Sequence, residues 1–154
     1  MRTIRWAAAA GLVMCAACSG GPDPPPFKPI ADVKQLMQGA IDPSADAIWD
    51  ATGTIISREG VEERRPKTQA EWDAVRNSAI MLTEAGNLLM MTPRAKDGGE
   101  WMKRCQEMID TGAAAWRAAE AKNVDQLFNV GADIYEACSR CHQQYMEAIT
   151  TANR

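Results

Sequence analysis

The chain has 154 residues, 46% of them hydrophobic, and a formal net charge of −3. That length carries one domain of modest size plus some extra sequence, and the hydrophobic share suffices for a core. A weakly acidic chain lacks the electrostatic footprint of a nucleic-acid binder, so no nucleic acid is expected as a partner.

Residues 1–17 read as a signal peptide. Arg2 and Arg5 supply a short positive region, and residues 7–17 are apolar but too few to span a bilayer. Ala16-Ala17-Cys18-Ser19 resembles a bacterial lipobox, with Cys15 where a Leu is usual. Lipidation of Cys18 would make the protein membrane-anchored without spanning the bilayer. A plain secreted chain cut nearby is the alternative. Cutting before Cys18 leaves 15 basic against 20 acidic residues. Residues 18–29 contain Gly20-Gly21-Pro22-Asp23-Pro24-Pro25-Pro26, a stiff Pro-rich tether with no means of packing a core.

The folded part is expected over residues 30–154. Ile30, Val33, Met37, Ile41, Ile48 and Ile55 fall on one helical stripe, interrupted at Asp42-Pro43, where a kink is expected. Residues 57–67 are charged, contain Gly60 and Pro66, and read as a loop; Arg64, Arg65 and Lys67 form a solvated basic patch there. Thr68-Gln69-Ala70-Glu71 is a capping box. Behind it Trp72, Val75, Ala79, Leu82, Gly86 and Leu89 form a seam of alternating three and four. Thr92-Pro93 ends that helix and Asp97-Gly98-Gly99 closes the connection. Trp101, Cys105, Met108, Gly112, Ala115 and Ala119 repeat the spacing, with Cys105 as a small core side chain. Gly86 and Gly112 cost helix stability, so a close approach of another helix or of a bound group is expected at each. After Asn123, a last helix carries Leu127, Val130, Ile134, Cys138, Cys141, Tyr145 and Ile149 on one face. No strand pattern is evident. The fold class expected is all-α, an antiparallel four-helix bundle.

On the last helix stands Cys138-Ser139-Arg140-Cys141-His142. C-x-x-C-H is the attachment signature of a c-type haem. Two thiols add across two vinyl groups, and the adjacent His142 offers a nitrogen to the iron as proximal ligand. His142 is the only histidine in the chain. A redox thiol pair, a structural disulfide and half of a zinc site are the alternatives. Zinc would need two more ligands, with only Cys105 and carboxylates left, and a thioredoxin-like pair would sit near a βαβ pattern. The nine Met residues suit an interior that must adapt to a flat macrocycle.

A Cys-x-x-Cys-His on the last of four helices resembles the class II cytochromes c, that is, cytochrome c′ and its low-spin Met-ligated relatives. The resemblance covers roughly residues 30–153. It implies one covalently attached haem c, with Cys138 and Cys141 as thioether partners and His142 on the iron. Tyr145 matches the aromatic that commonly follows the His by three residues. Met146 stands where cytochromes c′ usually carry Arg or Lys, a departure that weakens a gas-handling role. On the resemblance, the sixth iron position falls in the segment 33–38. Met37 there implies a thioether ligand, with Met90 and Met91 as rivals and core packing as the alternative for all three. Leu36 would instead cap an open distal site. Trp72 and Trp101 are core residues either of which could touch a porphyrin.

These readings lead to a monohaem electron carrier of a bacterial periplasm, not an enzyme, working with redox partner proteins of the envelope. The alternatives are a five-coordinate NO- or CO-binding protein and a haem-free helical adaptor. The family resemblance also implies homodimers through the first two helices.

Overall fold

The structure is a computed structural model that describes residues 27–152, with side chains through residue 146. The expected signal peptide, Cys15, Cys18 and most of the tether lie outside the described residues.

The first helical run opens on a capping box. Asp32 Oδ1 accepts from the Gln35 N–H at 2.7 Å, and Gln35 Oε1 accepts from the Asp32 N–H at 2.9 Å. α1 (Val33–Leu36) passes into a π-helical turn (Met37–Ile41) and then into α2 (Asp42–Asp50). The interruption expected at Asp42 is therefore a widened turn: the Asp42 N–H reaches back five residues to the Met37 carbonyl. The physical reason stands next door. A proline inside an α-helix clashes with the carbonyl four residues back and leaves it without a donor. The π turn directly before Pro43 relieves both problems.

Two expectations for the following stretch need correction. Residues 53–64 form a β-hairpin, β1 (Gly53–Ser57) and β2 (Gly60–Arg64), where a loop and the end of a helical stripe were expected. The fold is thus mostly helical with a small two-stranded sheet. The pairing is antiparallel, with Ile56 opposite Val61 and Ser57 opposite Gly60. Thr54, Ile55, Ile56 and Val61 are β-branched and favour a pleated backbone. Gly53 and Gly60 take φ of +141° and +137°, a region that L side chains rarely enter. Ile56 and Val61 are 80% and 70% exposed, so the hairpin contributes little to the core. Arg64 ties it to the end of α2 through Asp50 at 3.1 Å, while Arg65 and Lys67 stay exposed.

α3 (Gln69–Met90) begins on the expected box: Thr68 Oγ1 accepts from the Glu71 N–H at 3.2 Å, and Glu71 accepts from the Thr68 N–H at 2.8 Å. α4 (Glu100–Glu120) is started by Asp97, whose Oδ1 accepts from the Gly99 and Trp101 N–H groups at 2.9 and 3.0 Å. α5 (Val124–Ala152) is started by Asn123, which accepts from the Gln126 N–H at 3.0 Å. Among the described residues the run 33–50 and these three helices make four helical segments. α3 packs on α4, α4 on α5, and α2 touches both α3 and α5.

The seams read from the sequence are the core. Trp72, Val75, Ala79, Leu82 and Leu89 of α3 are buried, as are Trp101, Cys105, Met108, Ala115 and Ala119 of α4. α5 supplies Leu127, Val130 and Ile134, and the first run supplies Leu36, Ile41 and Ile48. Full burial of each Leu or Ile is worth roughly 1.5–3 kcal/mol. At Gly86 and Gly112 α3 and α4 approach closely. A Cβ on Gly86 would stand 2.5 Å from Ile109 Cγ1, and one on Gly112 would stand 2.6 Å from Thr83 Oγ1. Among the described residues no helix is long and apolar enough to cross a membrane.

Candidate functional site

Cys138, Cys141 and His142 lie in the middle of α5, whose helical spacing of three and four brings them to one side. All three are half-buried. Cys138 and Cys141 are free thiols, as is the buried Cys105. Among the described residues no group of three or more His, Cys, Asp or Glu could hold a metal ion.

The motif opens onto two adjoining cavities. One, of about 180 Å³, is walled by Trp49, Met108, Cys138 and Ala137 among others. The second, of about 790 Å³, is walled by Val33, Arg94, Trp101 and Tyr145 among others. Met37, Asp42, Cys141 and His142 line both. Met37 stands in the π turn, half-buried, with its side chain at this shared wall.

The other residues singled out from the sequence fall differently. Leu36 is buried in the core and lines neither cavity. Trp72 is likewise a core residue of α3 away from both. Met90 and Met91 are half-buried at the end of α3 and line neither. Trp101 and Tyr145 do meet at the larger cavity, edge to face with centroids 5.0 Å apart.

The surroundings set the protonation of the site. Burial, then the nearby Cys141 and Asp42, pushes the Cys138 thiol up to about 11. Burial also raises Cys141, against the pull of the Arg104 guanidinium. Both thiols are therefore neutral at pH 7. Tyr145 donates to Asp97 Oδ2 at 2.6 Å. Partial burial and this bond push the phenol up to about 12, and the same bond, with the Trp101 and Gly99 N–H groups, holds Asp97 below the usual carboxylate range. Tyr145 thereby fastens α5, one turn past His142, to the start of α4.

A second fastening lies on the other side of the motif. Arg104 contacts Glu107 at 2.9 Å, Glu100 at 3.1 Å and Gln144 at 3.3 Å. Arg140 contacts Glu136 at 2.9 Å and shares Glu107 at 3.4 Å. Trp49 donates its indole N–H to the Gly131 carbonyl at 2.8 Å, which holds α2 against α5 at the smaller cavity. Arg94, Arg104 and Trp49 were not singled out from the sequence, and Asp97 was read only as part of a turn. Trp49 and Arg94 reach partners 82 and 63 residues away, so no local pattern marks those contacts.

The residues present fit a covalently held haem. Two neutral thiols and an imidazole share one helix side and open onto one hollow. A thioether from another element lines the same hollow, whose aromatic and aliphatic walls also carry Arg94, Arg104, Lys34 and Lys96. No family model, curated protein or solved structure matches the chain.

Proposed function

We propose that this chain is a monohaem c-type cytochrome that carries electrons in a bacterial cell envelope. Cys138 and Cys141 would hold the haem by thioether bonds, with His142 and Met37 on the iron. The four helical segments would form an antiparallel bundle of the class II cytochrome c kind, anchored at Cys18 by lipid. The observation that carries the reading is that Met37, Cys141 and His142 line the same two cavities, beside Cys138.

The haem supplies one-electron redox chemistry. The chain's own residues hold, orient and enclose it. Helical spacing presents both thiols together, and burial keeps them protonated before attachment. The Tyr145–Asp97 bond and the Arg104–Glu107–Arg140 pairs fix the part of α5 that carries His142. A soft thioether from Met37, together with the imidazole of His142, would favour ferrous iron relative to two imidazoles. With Met37 and His142 both holding the iron, the same residues would serve both oxidation states and little would reorganise. His142, the sole histidine, would be committed to the iron, and this reading assigns the chain no enzymatic step.

The test is the visible and near-infrared spectrum of the purified protein, oxidised and reduced, with and without carbon monoxide. The expected result is a low-spin spectrum with a sulfur-to-iron charge-transfer band, unmoved by carbon monoxide. Met37→Ala should lose the band and bind carbon monoxide. A high-spin wild-type spectrum that shifts with carbon monoxide would refute the Met37 assignment and favour a gas-binding protein. Absence of haem stain on the denatured chain after SDS electrophoresis would refute covalent haem.

A further inference from the structure

The larger cavity carries a charge that no acid among the described residues pairs with. Arg94 is only 6% exposed, although it follows α3 in a connection. Its Nε donates to the Ala31 carbonyl at 2.9 Å and its Nη1 to the Leu88 carbonyl at 3.2 Å. Both partners are neutral. Among the described residues no carboxylate lies within 4.0 Å of the guanidinium. A buried cation without an anion is strongly disfavoured, since neutral carbonyls recover only part of the lost hydration. The side chain nonetheless reaches the cavity wall, and Lys34 and Lys96 line the same cavity. The acids on that wall, Asp32 and Asp42, are both exposed, and Asp32 is occupied in capping α1.

Resting on the cytochrome reading, we propose that Arg94 is the binding residue for the propionate carboxylates of the haem, with Lys34 and Lys96 as outer cations. Arg94 has five N–H donors in a fixed fork suited to a carboxylate. The two bonds observed leave donors over. The propionates sit on the half of the macrocycle away from the vinyl groups. Cys138 lines only the smaller cavity, Cys141 lines both and Arg94 lines only the larger, so Arg94 lies toward the end of the hollow away from Cys138. A competing role is purely structural: Arg94 would only satisfy the last carbonyls of α3.

The experiment uses the full chain matured with haem, as wild type, Arg94→Gln and Arg94→Lys. Haem staining after SDS comes first, then the reduction potential. Loss of one nearby positive charge from a site of low effective dielectric should move the reduction equilibrium of Arg94→Gln about tenfold toward the oxidised form, about 59 mV for one electron. Arg94→Lys keeps the charge and should stay near wild type in potential, though it loses the Ala31 or Leu88 bond and melts earlier. Equal potentials in all three stained proteins would overturn the proposal and leave the cytochrome reading intact. No covalent haem in the wild type would overturn both. If Arg94→Gln is not recovered folded, infrared difference spectra with ¹³C-labelled propionates decide between wild type and Arg94→Lys. A shifted carboxylate band supports the proposal and an unshifted one overturns it. A saturable change of wild-type potential with added acetate would assign the cation to a diffusible anion instead, which also overturns it.

Discussion

Replacing Gly112 by Ala sets two effects of known sign against each other. In an exposed helix interior the change stabilises by about 1 kcal/mol, because glycine loses more backbone freedom on folding. Here the new Cβ would stand 2.6 Å from Thr83 Oγ1, 3.1 Å from Thr83 N and 3.3 Å from Thr83 Cα. The hydroxyl already donates to the Ala79 carbonyl at 2.8 Å, and rotating it away costs about 1 kcal/mol. The nitrogen and Cα belong to the α3 backbone and yield only if the helices separate, an overpacking cost of about 1–3 kcal/mol. After the propensity gain, Gly112→Ala should be destabilised by about 1–3 kcal/mol. Gly39→Ala is the control, since no heavy atom lies within 4 Å of its Cβ position, and it should stabilise by about 0.5–1 kcal/mol. Guanidinium unfolding followed by far-UV circular dichroism reads both, with an unchanged slope expected. A Gly112→Ala protein as stable as wild type would refute the close approach of α3 and α4.

Other expectations follow from single residues. Cys105 is buried, with its thiol pushed up to about 12 by burial and then by Cys141 and Asp97, so it should resist alkylation at pH 8 until the chain unfolds. Tyr145 has its phenol raised from 10.0 to about 12, so its contribution to stability is complete below pH 10 and disappears as pH climbs through 12. Asp97 is shifted down, so its contribution is present above the ordinary carboxylate range and is lost as pH falls through and below it. Tyr145→Phe should abolish the alkaline loss and flatten the acid one, read from unfolding midpoints across pH. Thr68→Ala removes one half of the α3 capping box and should cost about 1 kcal/mol in chemical denaturation.

What could be read from the sequence follows the range of the interactions that mark it. The α3 capping box and the seams of α3 and α4 depend on neighbours three or four residues apart, so spacing alone reveals them. The motif at Cys138, Cys141 and His142 is legible for the same reason. The hairpin was not, because its few β-branched residues lack regular alternation and its turn, Arg58-Glu59, lacks the usual Asn-Gly or Asp-Gly signal. Gly53 and Gly60 were the available sign. The π turn left a trace in the four-residue steps from Val33 to Met37, Ile41 and Ala45, which drift around an α-helix unless one turn is widened. The Arg94–Ala31 and Tyr145–Asp97 bonds have no local signature, since each joins residues dozens of positions apart.

The π turn also bears on how this helix is to be compared with others. A π turn takes up one residue more than an α-helical turn, so the helix on either side keeps the phase it would have without that residue. A related helix one residue shorter at this point would superpose on both flanks in space. A gapless alignment of the two would slip every position before the turn by one and set Leu36 where Met37 belongs. The gap must be placed within residues 37–41, or a sulfur-bearing wall would be scored as an aliphatic one.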